Sequence, residues 1–208
     1  MNNFSTINTK KYLAEFLGTF LLTFVVYITL VSDFKTVTPL IAGFTLGLIV
    51  YILGPISGAH VNPAITFGAL VTKKIEAYEA LFYIIFQFLG AFVAGILAKI
   101  FLHSSALLHD APQIIGLNVF KIGVAEFIGA TIFAFGVASV VFKKVSEANS
   151  GFVIGGSLAI GIIIASQVSN GVLNPAVSLG IGSFSIMYLV GPVIGAGAGF
   201  WLFKLISE

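Results

Sequence analysis

The residues best placed for chemistry come in two copies of one tripeptide, Asn62-Pro63-Ala64 and Asn174-Pro175-Ala176, 112 residues apart. Asn is a strong helix N-cap because its side-chain oxygen accepts from orphan backbone N–H groups. Pro suits the first helical position, where its missing N–H costs nothing. Each copy therefore reads as a helix start, preceded by a Gly-bearing turn: Ser57-Gly58-Ala59-His60-Val61 before the first, Ser169-Asn170-Gly171-Val172-Leu173 before the second. Two carboxylates, Glu15 and Glu126, stand inside long apolar runs, where an ionisable group is expensive and functional by default. Each has two readings, an acceptor for N–H groups of the turn in its own half or a proton relay, and their repeat relation favours the first. His60 could ligate a metal or sense pH. With no Cys or carboxylate at ligand spacing, a turn-stabilising role is preferred, and no metal site is assigned. His103 and His109, near Asp110, read as solvated loop residues, and Gln87 as a buried partner for a turn. No nucleophile–base set or metal triad occurs, so no catalytic residue, enzymatic activity or cofactor is expected.

The elements that carry these residues must live in lipid. Of the 208 residues, 58% are hydrophobic and 9% charged, with a mean hydropathy of +1.10. Soluble domains carry roughly 25% charged residues. The apolar runs are continuous rather than alternating, which argues against a β-barrel. There is no Cys, excluding disulfides and thiol chemistry, and all ten basic residues are Lys. A bilayer is the implied partner; nothing suggests nucleic acid.

A span needs ~20 mostly apolar residues. Six such runs are read, at 12–31, 37–53, 77–102, 122–142, 152–168 and 185–205. The first is too long for a signal-peptide core and recurs downstream, so it is taken as a retained span. Two apolar pieces, 63–71 and 175–182, are too short to cross and follow the Asn-Pro caps. They read as re-entrant half-helices. If so, Lys10, Lys11, Lys73, Lys74, Lys143, Lys144 and Lys204 fall on one side, and Lys35 and Lys121 on the other. The positive-inside rule then puts both termini in the cytoplasm.

The two halves repeat, about 10–103 and 121–205, within a single domain spanning 1–208. Ala14-Glu15-Phe16-Leu17-Gly18 matches Ala125-Glu126-Phe127-Ile128-Gly129. Three spans per half force the second half to insert upside down, and inverted repeats bring broken helices together at the midplane. The two Asn-Pro-Ala tips should meet there. Their N-termini would each present about half a positive charge, and the turns before them would expose carbonyls from Gly58, Ala59, His60, Asn170, Gly171 and Val172. Such irregular backbone is tolerated at membrane depth only along a wet cavity. Gly43/Gly47 and Gly191/Gly195/Gly199 read as small-xxx-small packing stripes.

These motifs, with Gln87 and Val190-Gly191-Pro192, resemble the major intrinsic protein family, the aquaporins and aquaglyceroporins, over nearly the whole chain. The resemblance implies an all-α membrane protein with six transmembrane helices and two re-entrant half-helices in an inverted repeat. It also implies a homotetramer with one pore per subunit and passive flux. It further implies a selectivity filter on the outer side of the Asn pair, carried onto Ala42, Val168, Gly171 and Val177. Most family members have Arg where this chain has Val177, water-selective members an aromatic at Ala42 and usually His at Val168, and glycerol-selective members the Arg plus aromatics. Other family discriminators divide: Ser178 and Tyr188 resemble water channels, Leu189 the glycerol class. Val at the Arg position is similar to some microbial members associated with metalloid or other uncharged solutes.

The expectation is a plasma-membrane channel for water and small uncharged solutes, with a wide, Arg-free filter. Alternatives are a channel mainly for glycerol, urea or neutral metalloid hydroxides, or a secondary transporter of the broken-helix type. The latter would need coupling groups, of which the midplane offers only Glu15, Glu126 and His60.

Overall fold

The computed structural model describes residues 9–102 and 119–208. The segment holding His103, His109 and Asp110 lies outside the described residues. Six long helices account for the spans: α1 (Thr9–Val31), α2 (Thr38–Ser57), α4 (Ala77–Phe101), α5 (Val119–Val141), α6 (Glu147–Ala165) and α8 (Ile186–Ser207). Each is long and apolar enough to cross a bilayer. Two short helices, α3 (Pro63–Val71) and α7 (Pro175–Gly180), follow the Asn caps. A 3-10 turn at Asp33–Val37, opened by the Ser32 hydroxyl accepting from the Phe34 N–H, links α1 to α2.

Several helix ends differ from the hydrophobic runs. α2 continues through Gly54 and Pro55 to Ser57, because Pro so near a C-terminus removes only one ladder bond; Gly58, at φ +88°, then ends it. α6 starts at Glu147, in a polar turn ahead of the apolar run, and stops at Ala165 rather than running to 168. α7 stops at Gly180, with Gly182 in a left-handed conformation after it.

Packing follows the inverted repeat. α1 lies on α4 as α5 lies on α8; α3 reaches across to α8 as α7 reaches across to α4; α2 meets α6 at the centre. Small residues allow that central contact. A Cβ on Gly155 would come within 2.2 Å of the Gly43 carbonyl oxygen, and one on Gly47 within 2.8 Å of that of Gly151. Gly191, Gly195 and Gly199 likewise let α8 sit against the α5 backbone at Gly123, Phe127 and Thr131. Many large side chains face outward, Phe152 being 80% exposed and Phe44 71%, as lipid-facing helices require.

The lysines sort by end. Lys11 pairs with Glu79 at 2.6 Å, joining the starts of α1 and α4. Lys74 sits 4.0 Å over the Phe142 ring, just past α5. Phe142 and Phe203 rings lie 5.9 Å apart, bringing the end of α8 and Lys204 to the same face. This is called the Lys74 end below; the opposite one, with Lys35, is the Lys35 end.

Candidate pore

The Asn caps form as local chemistry dictates. Asn62 Oδ1 accepts from the Ala64 N–H at 2.8 Å, and Asn174 Oδ1 from the N–H groups of Ala176 at 3.0 Å and Val177 at 3.3 Å. Each side-chain amide then crosses to the other half: Asn62 Nδ2 donates to the Leu173 carbonyl and Asn174 Nδ2 to the Val61 carbonyl, both at 2.9 Å. The two tips therefore meet and hold each other. An amide carries two N–H donors, so this crossing leaves each Asn one more, and both residues line a cavity.

The turns that deliver these tips are strained in matching places. Ala59, Val61 and Leu173 adopt φ of +49°, +41° and +54°, and Gly171 +60°, a region costly for side-chain-bearing residues. A buried carboxylate holds each turn. Glu15 Oε1 accepts from the Ser57 hydroxyl at 2.7 Å and the His60 N–H at 3.0 Å, while Oε2 accepts from the Val61 N–H and Gln87 Nε2, both at 2.7 Å. Glu126 Oε1 accepts from the Ser169 hydroxyl at 2.7 Å and the Val172 N–H at 3.0 Å, and Oε2 from the Leu173 N–H at 2.7 Å. Neither glutamate is exposed at all. A buried charge is tolerable only when fully hydrogen-bonded. Gln87 also donates to Thr66 Oγ1 at 3.0 Å. On α8, Pro192 takes the corresponding place and offers no side-chain donor.

Tyrosines finish both turns. The Tyr83 hydroxyl donates to the Ser57 carbonyl at 2.7 Å, and the Asn170 N–H donates to the Tyr188 hydroxyl at 2.9 Å. His60 Nδ1 is 3.2 Å from Thr66 Oγ1, and its ring meets Tyr83 edge-on at 5.3 Å. Among the described residues, the carbonyls of Gly58, Ala59, His60, Asn170, Gly171 and Val172 accept no hydrogen bond. No cluster of potential metal ligands occurs among the described residues.

Two cavities run into the protein from opposite ends. The one at the Lys35 end, ≈ 560 Å³, is lined by Asn62, Asn174, Asn170, Gly171 and Val172, with Ala42 and Val177 in its wall. The one at the Lys74 end, ≈ 470 Å³, is lined by Gly58, Ala59 and His60, and has Glu147 in its wall. Val168 is not brought to the pore. α6 has ended at Ala165, so Val168 lies in the following turn and packs against the apolar core. Ile162, still on the helix, lines the Lys35-end cavity, and a Cβ on Gly171 would meet its carbonyl oxygen at 2.9 Å. Sequence reading also passed over Ser57, Ser169 and Tyr83. The two serines carried a usable signal, since they stand at equivalent places in the repeat.

A family model described as Major intrinsic protein matches residues 3–203. The glycerol uptake facilitator protein-like 6 of Lactiplantibacillus plantarum is 36% identical over 204 residues, covering 90% of this chain and 93% of that protein. Aquaporin TIP2-1 of Arabidopsis thaliana is 35% identical over 223 residues, covering 94% and 86% respectively. Among solved structures, the aquaglyceroporin from Plasmodium falciparum matches with a TM-score of 0.78 at 20% identity, covering 97% of this chain and 96% of that one. At that identity the likeness speaks for the fold.

Proposed function

The chain belongs to the major intrinsic protein family, and on that premise we propose that it is a passive channel for small uncharged solutes, with water among them, through a wide filter without Arg. The observation that carries this reading is the meeting of Asn62 and Asn174 by reciprocal bonds inside a cavity. The surrounding wall at Ala42, Ile162, Gly171 and Val177 has no charged and no aromatic side chain. Ile162 takes the place first given to Val168. A filter Arg would supply a fixed charge and up to five donors. Without them, water is held less selectively and larger neutral molecules meet less obstruction. Cation exclusion rests on the half-helix N-termini converging at the Asn pair, as in other pores of aquaporin type.

The names of the relatives, a glycerol uptake facilitator and an aquaporin, support a solute range that takes in both water and glycerol. Urea and neutral metalloid hydroxides fit the same apolar ring. Glu15, Glu126 and Gln87 position the turns. Every oxygen of the two glutamates is engaged, which leaves them poorly suited to shuttle protons and weighs against a gradient-coupled transporter. The protein works as a homotetramer in the plasma membrane with both termini cytoplasmic, a topology supported by the lysines gathered at one end. The test is concentration dependence. In proteoliposomes, glycerol influx is expected to rise linearly with its gradient and to ignore imposed proton or sodium gradients. Saturable influx that follows either gradient would favour a transporter.

A further inference from the structure

Among the described residues, the two cavities share three lining side chains: Leu46 on α2, His60 in the first turn, and Phe133 on α5. The ring at Ala42, Ile162, Gly171 and Val177 lies wholly within the wall of the ≈ 560 Å³ cavity, as do Asn62 and Asn174. It therefore belongs to the ≈ 560 Å³ cavity alone and is not shared with the second one. The junction lies past the Asn pair, toward the Lys74 end, where the second cavity begins.

Resting on the channel reading above, we propose that the Leu46–His60–Phe133 neck, and not the ring beside Val177, sets the size limit of the pore. Its three walls are fixed. Leu46 and Phe133 are each 2% exposed and embedded in the core. His60 is held at three points: its N–H bonds Glu15, its Nδ1 faces Thr66, and its ring abuts Tyr83. A pinned neck selects by cross-section and does not open and close. Its chemistry is two-sided. Leu46 and Phe133 offer only apolar surface, whereas His60 keeps one ring nitrogen, Nε2, beyond its bond to Thr66. A slim neutral solute with a carbon chain on one edge and hydroxyl or amide groups on the other satisfies all three walls. A longer or branched polyol does not, because one of its polar groups must face Phe133 or Leu46 without a partner.

The experiment is a linear polyol series of two to five carbons, with influx into proteoliposomes followed by light scattering. Wild type is compared with Phe133→Ala, Leu46→Ala and Val177→Ala, and with Phe133→Leu as a gentler cut. Purified variants are checked for monodispersity before reconstitution. Removing wall volume at an apolar constriction changes discrimination by about 10-fold, so Phe133→Ala and Leu46→Ala should raise four-carbon flux relative to three-carbon flux by that order. Phe133→Leu should move the ratio the same way by less, and Val177→Ala should leave the cut-off in place. If Val177→Ala shifts the cut-off and the neck variants do not, the neck is overturned while the channel stands. If wild type passes no polyol and no water faster than empty liposomes, the channel reading itself fails and the neck with it. Should Phe133→Ala prove polydisperse, Leu46→Ala and Phe133→Leu decide by the same criterion.

Discussion

Glu126 accepts three hydrogen bonds from one turn and has no access to water. Glu126→Gln would turn an N–H₂ group toward a backbone N–H, leaving buried donors unmatched at about 1–3 kcal/mol each. A lower melting temperature in detergent and reduced flux are expected; unchanged values for both would show the turn does not depend on this carboxylate. Glu15 has the additional Gln87 donor, so Gln87→Leu should loosen the first turn alone. At Val177 the expected change is in selectivity. Val177→Arg adds bulk and donors to an apolar ring, and glycerol flux should fall more than water flux. Equal loss of both would count against that ring assignment. At this scale the sequence was legible where the repeat supplied a second copy, as with the Asn pair and the two glutamates. The family resemblance was carried onto the wrong residue at Val168: the α6 ladder stops at Ala165, and Val168 lies in the turn beyond it while Ile162, still on the helix, lines the cavity. Leu46 and Phe133 were illegible because a cavity-lining Leu or Phe looks like any other apolar helical residue.

α2 and α6 cross with glycine against glycine, Gly43 to Gly155 and Gly47 to Gly151. Larger side chains there must push apart the two helices that bring Ala42 and Ile162 to one wall. Gly155→Val is therefore expected to destabilise by about 1–3 kcal/mol and to lower flux, read by thermal unfolding and reconstitution together. Gly156, whose added Cβ would meet nothing, should accept Ala with little effect on either, apart from the small helix gain that Ala brings. The existence and type of the six long and two short α-helices were readable from apolar run length and the Asn-Pro caps, whereas the 3-10 turn at Asp33–Val37 was not. The helix ends were less readable. The apolar run read as 37–53 ended short of Gly54 and Pro55, but a proline in a final turn forfeits one bond only, and the Gly58 left-handed cap is the true terminus. The apolar run also hid the polar first turn of α6, since Glu147, Asn149 and Ser150 reach the helix ladder without contributing hydropathy.

Across the whole molecule, the inverted repeat decides what can work. Neither half closes a pore alone: each Asn amide bonds the other half's carbonyl, and each short helix packs on the other half's last long helix. Separately expressed halves, 1–103 and 121–208, are expected to show no flux unless combined. The lysines at one end predict that tags on both termini are protected from protease in sealed right-side-out vesicles; cleavage of either tag would reverse or break the topology. The repeat and the lysine asymmetry were visible in the residues. The proposed neck was not, since it draws on three side chains from three elements, none with a motif of its own. The most direct test of the central claim is stopped-flow light scattering on proteoliposomes with water, glycerol, urea and a neutral metalloid hydroxide side by side. Permeation faster than in empty liposomes for water and for at least one of the larger neutral solutes is the expected result. No acceleration for any of the four would contradict it.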